Sequence, residues 1–375
     1  MDLIRPLGLA GIPCVAVAPP GDRIGYSRFV RGLIHSDDPA LLETMIEYGR
    51  NQRRAPVLFC ESDWALEFVA RNRERLMTAF KFVLPPPRLL ESLLDKGRFH
   101  VLAKDRGLPT PKSWVVDPAS DIEPGLAKEM SFPVVVKALP HRVKNWRRLG
   151  VDGKVVRLDS AQELQALWPR MADCELNFLV QELIPGPESR IESYHVYADR
   201  DGRIAGEFTG RKIRTYPKNF GFSTALTTTA DNDVAELGRA IVERLDIRGV
   251  AKLDFKRGDD GRLYLLEINP RFSLWSHVGA LAGVNLPALV YADLVGETRP
   301  QNGRARSGVT WCSPLKDASA AKSNGMSLAG WLVWMLSCDA NSAFALDDPM
   351  PFVRGRVLHS VAARAGRPRR RVGRS

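Results

Sequence analysis

The sequence predicts a mixed α/β and α+β protein built from two or three closely packed lobes. Its 375 residues exceed the size at which a single hydrophobic core keeps growing. Residues 11–18 and 56–60 are short apolar runs bounded by turn-forming residues, which is typical of buried parallel strands. Residues 191–230 are instead rich in Thr, Tyr and Phe, and this pattern predicts antiparallel strands, followed by a helix at about 231–245.

The first lobe is expected over residues 1–88 as a βα-type unit, with a helix at Pro39–Gly49 between its two strands. The stretch Leu3–Ala10 resembles the end of a helix that leads into a strand, but no strand precedes it. We therefore expect either that the natural product extends ahead of Met1 or that this lobe has lost an edge strand.

A larger domain is predicted to follow the Pro85–Pro87 boundary, starting with a helix at Leu89–Arg106. Strands are predicted at Phe132–Leu139, Val155–Leu158 and Asn177–Gln181, with a helix opened by Ser160. The predicted divisions are a domain at 89–300, with a small subdomain at 112–187 and a large one at 188–300, a helical extension at 301–363, and a disordered basic tail at 364–375.

The formal charge of +11 is concentrated at the end of the chain. Six arginines lie between Arg364 and Arg374 with no acid among them, and removing them leaves +5. A solvated basic tail gives only sequence-independent attraction to phosphates, so nucleic-acid binding is not expected as the main role. The remaining excess suits a small anionic substrate such as a nucleotide.

The five cysteines are scattered and include no Cys-x-x-Cys pair, which argues against a disulfide framework and a zinc site and favours the cytoplasm. The apolar stretch Leu328–Leu336 is too short to cross a bilayer, and the N-terminus lacks a signal-peptide pattern. No membrane span is expected.

The most informative stretch is 249–272, where two alternating segments flank a Gly-Asp-Asp-Gly turn and predict a β-hairpin. With an even number of residues in the turn, Asp254 pairs with Leu265 and Lys252 with Glu267. Asp254 then lies diagonally from Glu267, at roughly 7 Å or less.

Glu267 and Asn269 project to one side of this hairpin because side chains alternate along a strand. Together with Asp254 they offer two carboxylates and an amide, which is a set of oxygen ligands suited to Mg²⁺ or Mn²⁺. The alternative is an amphipathic hairpin whose polar face meets water. Unpaired polar groups would be costly among the apolar neighbours of Glu267 and Asn269, so the metal site is favoured.

The set Asp254, Glu267 and Asn269, followed by Pro270-Arg271, resembles the metal-binding hairpin of ATP-grasp enzymes. The resemblance extends over about residues 90–296. It implies an ATP-grasp fold with a Rossmann-like N-terminal lobe (the pre-ATP-grasp lobe) that lacks its first strand.

Two lysines fit the same family. Asp95-Lys96 opens a helix that runs to Gly-Leu-Pro-Thr-Pro, and the resemblance implies that Lys96 contacts nucleotide phosphate. Lys137 ends the run Phe-Pro-Val-Val-Val-Lys, which is similar to the strand whose buried lysine holds the α- and β-phosphates. A desolvated ammonium group requires an anion.

The segment Val180–Glu188 resembles the family's adenine-binding hinge. Its backbone groups at Gln181, Glu182, Leu183 and Ile184 would hold adenine, and Glu188 would bind the ribose hydroxyls. A strand that ends in a Pro-Gly turn is the plainer alternative.

The later run Gly210–Arg214 resembles a second phosphate-binding strand, in which Lys212 is the best match. The loop 141–154 stands where the family carries a mobile flap over the triphosphate, although it is richer in arginine and poorer in glycine than that flap. An electropositive lid and a solvated loop both fit its composition.

The resemblance implies an ATP- and Mg²⁺-dependent ligase that activates a carboxylate as an acyl phosphate and passes it to an amine. Arg271 and Lys212 are the candidate catalytic residues, Arg271 as the group that holds the carboxylate. The finer pattern is similar to a group that includes D-aspartate ligase. Alternatives are a bicarbonate-activating, carbamoyl-phosphate-synthase-like or biotin-carboxylase-like enzyme, and a nucleotide-binding module without ligase activity. Small-molecule carboxylate and amine substrates and a homodimer are the expected partners.

Overall fold

The computed structural model describes residues 1–118, 126–139, 146, 149, 155–301 and 303–358. The mixed α/β class predicted from the sequence is confirmed. The first lobe contains α1 (Ile4–Leu9), β1 (Cys14–Ala18), β2 (Val30–His35), α2 (Leu41–Arg50), α3 (Asp63–Arg71) and α4 (Arg73–Met77).

The described sheet of the first lobe has two strands, β1 and β2, which pair in parallel. The strand predicted at 56–60 is wrong in extent, because only a single bridge joins Val57 to Lys81. This segment has a ladder partner on one side for only a short distance, so its backbone does not form a regular strand.

The single helix predicted at Leu89–Arg106 is also wrong, because two helices occupy this region. They are α5 (Pro87–Leu94) and α6 (Lys96–Asp105), and Asp95 between them is extended, with φ −105° and ψ 121°. Asp95 accepts a hydrogen bond from the amide of Arg98 at 2.8 Å, so it caps α6. The break places Lys96 at the first position of α6.

A small subdomain is built on a four-stranded sheet in the order β3-β6-β4-β5. Its apolar core joins Val134, Val136, Phe178 and Val180 to Met171 of the covering helix. The elements are β3 (Ser113–Val116), α7 (Leu126–Glu129), β4 (Val134–Ala138), β5 (Val156–Leu158), α8 (Ala161–Ala172) and β6 (Phe178–Glu182).

A seven-stranded sheet, in the order β11-β10-β7-β8-β9-β12-β13, forms the centre of the molecule. Its strands are β7 (Ile191–Ala198), β8 (Ile204–Tyr216), β9 (Phe222–Thr229), β10 (Gly249–Arg257), β11 (Leu263–Asn269), β12 (Thr310–Cys312) and β13 (Ala340–Asn341). Its helices are α9 (Asn232–Arg244), α10 (Trp275–Leu281), α11 (Leu286–Val295), α12 (Pro314–Ser323), α13 (Leu328–Ser337) and α14 (Met350–Phe352).

Helices cover both faces of this sheet, as the alternation along β7 requires. Tyr194 and Val196 belong to the core that includes α9, whereas Tyr197 faces the core of α10 and α11. The predicted helical extension at 301–363 contains two strands as well as helices, because β12 and β13 continue the sheet beyond β9.

No single helix within the described ranges combines the length and apolar composition that a membrane crossing needs, and one bent pair, α10 with α11 at 89°, reaches both together.

Candidate active site

One cavity of about 1470 Å³ lies where the lobes meet. All of the binding, catalytic and metal residues predicted from the sequence line it, so the structure brings together segments far apart in the chain. They are Lys96, Lys137, Gln181, Glu182, Leu183, Ile184, Glu188, Lys212, Asp254, Glu267, Asn269 and Arg271.

The hairpin register differs from the one predicted. Asp254 lies directly opposite Glu267, and Lys252 opposite Asn269. The prediction that Asp254 pairs with Leu265 is wrong because the register shifts between Asp254 and Phe255, where Leu266 is the extra residue of a bulge. The correction brings the two carboxylates closer than a diagonal pair, since directly opposed residues have Cβ atoms about 4.5–5.5 Å apart.

Asp254 is a buried carboxylate, with 2 % of its surface exposed, held by two neighbours. Ser193 of β7 donates a hydrogen bond to Oδ1, and Lys252 contacts Oδ2. Burial alone would raise the pKa of Asp254, but the ammonium groups of Lys252 and Lys212 outweigh burial and hold the pKa well below its usual value. Asp254 therefore carries a negative charge at the cavity wall at neutral pH.

Glu267 and Asn269 complete the acidic side of the cavity. Glu267 is exposed to it, and Asn269 Nδ2 donates to Glu267 Oε1 at 2.9 Å. Within the described ranges, no three His, Cys, Asp or Glu side chains form a metal-binding group. The donors here are two carboxylates and an amide, and this set fits Mg²⁺, which keeps water and substrate phosphate oxygens among its ligands.

Lys137 lines the same cavity from near the end of β4. Its Nζ donates to Gln181 Oε1 at 2.8 Å, while Gln181 Nε2 donates to Ser113 Oγ at 2.9 Å. Burial lowers the pKa of Lys137 to about 8; Glu267 opposes this shift and Lys96 adds to it. An anion that binds beside this poorly solvated ammonium group would stabilise its charged form.

Two further lysines face the same space. Lys96 Nζ donates to the carbonyl oxygen of Ala138 at 2.7 Å, so α6 and the end of β4 are held together at the cavity. Lys212 on β8 is near enough to Asp254 to lower the pKa of that carboxyl group. Lys96, Lys137 and Lys212 thus add positive charge around the two-carboxylate edge of the cavity.

The predicted hinge joins the small and large subdomains. The amide of Glu182 donates to the carbonyl of Lys112 at 2.9 Å, and the amide of Leu183 donates to Pro133 at 2.9 Å. The amide of Ile184 has no hydrogen-bond acceptor among the residues that the structure describes. Of the predicted adenine-binding amides, that of Ile184 is the one available to a ligand.

Glu188, the predicted ribose-binding residue, begins a short 3₁₀ turn, Glu188–Arg190, directly after the hinge. Its carboxylate lies 3.9 Å from the ammonium of Lys256, a buried residue of β10. This contact sets the carboxylate at the cavity wall, and burial lowers the pKa of Lys256.

Arg271, the predicted carboxylate-holding residue, is already paired. Its Nε lies 2.5 Å from Oδ1 of Asp63, in the first turn of α3. Beside this pair is Glu61, whose pKa is raised by burial. The pair joins the first lobe to the end of the β10–β11 hairpin. A substrate carboxylate would have to compete with Asp63 for the guanidinium group.

The predicted flap at 141–154 lies outside the described residues, except for Trp146 and Leu149, which both have helical (3₁₀) backbone.

Sequence reasoning missed Lys252, Lys256 and Ser193 as members of the site. Lys252 and Lys256 did carry a signal, because they share one strand face with Asp254 at a spacing of two. Ser193 carried none, since its contact depends on β7 being the neighbour of β10. His195 is a core residue, stacked on Phe208 with ring centroids 4.4 Å apart.

Comparisons with known proteins identify a family and several relatives that this chain is similar to. The family described as "ATP-grasp in the biosynthetic pathway with Ter operon" matches residues 176–313. D-aspartate ligase of Enterococcus faecium is 24% identical over 270 residues, covering 69% of this chain and 64% of that protein. N5-carboxyaminoimidazole ribonucleotide synthase of Synechococcus elongatus is 33% identical over 194 residues, covering 50% of this chain and 45% of that protein.

Solved structures share the fold. An ADP complex of N5-carboxyaminoimidazole ribonucleotide synthetase superposes with a TM-score of 0.61 at 13% identity, covering 82% of this chain and 76% of that chain. The L-amino acid ligase from Bacillus licheniformis superposes with a TM-score of 0.59 at 18% identity, covering 82% of this chain and 75% of that chain. The chain spans about half to two thirds of the length of the curated relatives described above. The predicted ATP-grasp fold is confirmed, and the chain resembles the carboxylate–amine ligases.

Proposed function

We propose that the protein is an ATP-dependent carboxylate–amine ligase that works through an acyl phosphate. The observation that carries this proposal is the arrangement of carboxylate and lysine side chains around one cavity. Asp254 and Glu267 lie opposite each other on two strands, and Lys96, Lys137 and Lys212 reach the same space from three other segments. A triphosphate with its counter-ion fits this arrangement of anionic and cationic walls.

The nucleotide end of the cavity has its own features. The free amide of Ile184 can donate to an adenine nitrogen, and Glu188 stands at the hinge, where ribose hydroxyls would donate hydrogen bonds to its carboxylate. Lys137, with its pKa lowered by burial, gains most from a neighbouring phosphate because pairing restores the charge that burial disfavours.

Phosphoryl transfer needs neutralisation of a highly charged triphosphate and alignment of the attacking oxygen. Asp254, Glu267 and Asn269 would hold Mg²⁺ or Mn²⁺, whose positive charge offsets the negative charge of the phosphates. The three lysines would place positive charge around the β- and γ-phosphates, and Lys212 interacts with Asp254 at the carboxylate edge where the transferred group would sit.

The bond changes follow from this placement. A carboxylate oxygen attacks the γ-phosphorus, the bond to the β-bridging oxygen breaks, and ADP leaves. An amine nitrogen then attacks the acyl carbon, the carbon–oxygen bond to phosphate breaks, and the amine loses a proton. Arg271, released from Asp63, would hold the carboxylate by paired hydrogen bonds during the first step.

The direct test is ADP formation across a panel of amino acids, peptides, other carboxylates and bicarbonate, with product masses recorded. We expect turnover that requires both an amine and a carboxylate and yields a condensed product with loss of water. Turnover with bicarbonate alone would favour the carbamoyl-phosphate-synthase-like alternative. ATP binding without turnover across the panel would instead indicate a nucleotide-binding module.

The matched variants are Glu267→Gln and Glu243→Gln. Glu267 lies at the cavity, whereas Glu243 is exposed on α9, away from it. Loss of one metal-ligand charge should reduce turnover at least a hundredfold in Glu267→Gln, while Glu243→Gln keeps the parent rate. Equal rates in both, with circular dichroism unchanged, would contradict the proposed site.

A further inference from the structure

The cavity does not stop at the nucleotide site but continues into the first lobe between two stretches of chain. One is β1, which pairs with β2 on a single side. The other is the segment 56–60, which bonds to Lys81 on a single side. No backbone hydrogen bond joins β1 to 56–60 in the part of the chain that the structure describes. We name the space between them the strand slot.

The strand slot reaches the edges of both segments. Residues 12–17 line it consecutively, and so do residues 54–62, which precede α3. Successive side chains of an extended chain point to opposite faces. A space that touches every residue of such a run therefore lies against the edge of the backbone, where the next strand of a sheet would pair.

Helices close the other two sides of the strand slot. Leu3, Ile4 and Leu7 of α1 line it, and α1 belongs to the same core as α10 and α11. Leu41 and Met45 of α2 line it as well, and they belong to a separate core with α3 and α4. The slot thus has a helix layer on each face, as a central strand of a parallel sheet does.

The side chains inside the strand slot are apolar and incompletely covered. Val17 in β1 is 38% exposed, and Val15, Val57 and Phe59 are half-buried. In parallel sheets with helices on both faces, central strands are normally buried throughout. Two unpaired backbone edges that face each other across apolar side chains require an extended, apolar occupant.

The start of the chain lies at one end of the strand slot. Met1 and Asp2 are each only 9% exposed, and Trp311 Nε1 donates to Asp2 Oδ1 at 2.9 Å. The N-terminal ammonium is close enough to Glu61 to oppose the rise that burial causes in its pKa. Since Glu61 directly follows 56–60, α1 begins at the edge of the sheet where these residues end.

A strand that precedes α1 and returns through it to β1 would form a βαβ unit, and its carboxyl end would lie where α1 begins. We propose that the strand slot accepts one further β-strand, parallel to β1 and bonded to both β1 and 56–60, from an apolar segment of the same polypeptide ahead of Met1. The slot lies between two strand segments, whereas a lost edge strand would leave a gap at the border of the sheet.

The first measurement is the intact mass of the protein purified from its natural cells. We expect a mass above the 41.7 kDa of Met1–Ser375, by at least about 0.6 kDa for a strand of five or six residues. The added residues should include an apolar run of about five. A natural product that starts at Met1, or at Asp2 after removal of Met1, would overturn the proposal.

The second measurement asks where the added segment lies. Val17→Cys is compared in the natural-length chain and in a chain that starts at Met1, by the rate of maleimide labelling above the background of the parent protein. We expect at least tenfold slower labelling in the natural-length chain. Val101→Cys on α6, where Val101 is 54% exposed, is the control and should label equally in both.

Equal labelling of Val17→Cys in the two chains would overturn the placement in the slot. So would protection that appears only at high protein concentration, because a second copy would then supply the strand. Neither measurement depends on ATP turnover, so the result is separate from the outcome for the proposed ligase activity.

Discussion

The lowered pKa of Lys137 gives a quantitative forecast for nucleotide binding. In the free protein the ammonium is shielded from water, and burial lowers its pKa to about 8. A bound phosphate favours the charged form, so the protein that binds ATP best is the protein that still carries the Lys137 proton. Affinity should therefore fall as pH rises through the pKa of the free protein.

The size of the effect follows from the fraction of protonated Lys137. With a pKa of about 8, this fraction is about 75% at pH 7.5 and about 10% at pH 9. Apparent affinity scales with the competent fraction, so the Kd for a non-hydrolysable ATP analogue should rise roughly eightfold between these pH values. Lys137→Arg should flatten this dependence, because a guanidinium group keeps its charge throughout the range.

Isothermal titration calorimetry with the analogue and Mg²⁺ measures both the Kd and the protons exchanged. Titrations at pH 9 in buffers of different ionisation enthalpy should show uptake of nearly one proton by the parent protein and much less by Lys137→Arg. A parent Kd that stays constant from pH 7.5 to pH 9 would refute the assignment of Lys137 to phosphate binding.

Two further predictions concern stability. Burial lowers the pKa of His277 to about 4, so the unfolded chain takes up a proton first as pH falls. The native state should therefore lose up to about 3 kcal/mol of stability between about pH 6.5 and pH 4. In urea titrations, His277→Gln should lose less stability over this range than His35→Gln, in which the replaced histidine is exposed. The buried pair of Arg214 and Asp317, with contacts of 2.6 and 2.9 Å, predicts that Asp317→Asn lowers the free energy of unfolding by about 3–5 kcal/mol, against little change for exposed Asp201→Asn. A loss below about 1 kcal/mol in Asp317→Asn would contradict the second prediction.

The sequence predicted most of the fold through local patterns. The alternating segments around the Gly-Asp-Asp-Gly turn form the hairpin β10–β11, and residues 232–244 form the helix expected after the antiparallel strands. The break at Asp95 could have been read from its N-cap chemistry, since an Asp three residues before Arg98 is a helix start. The bulge at Leu266 could not, because it shows only in the way that β10 and β11 pair.

The candidate site was predictable where its chemistry lies on one strand and hidden where it depends on neighbours. Glu267 and Asn269 were visible by their spacing. Ser193 was not, because only the antiparallel register of β7 on β10 brings it opposite Asp254. The pairing of Arg271 with Asp63 was hidden for the same reason, since it joins residues more than two hundred positions apart.

The contact between Lys252 and Asp254 bears on how the protein stands without its substrates. A buried carboxylate such as Asp254 would destabilise the native state if it lacked a counter-charge. Here the neighbouring strand position supplies the compensating charge from within. The negative charge of Asp254 is thus compensated within the chain itself. The native state at this point does not depend on the concentration of nucleotide or divalent ion.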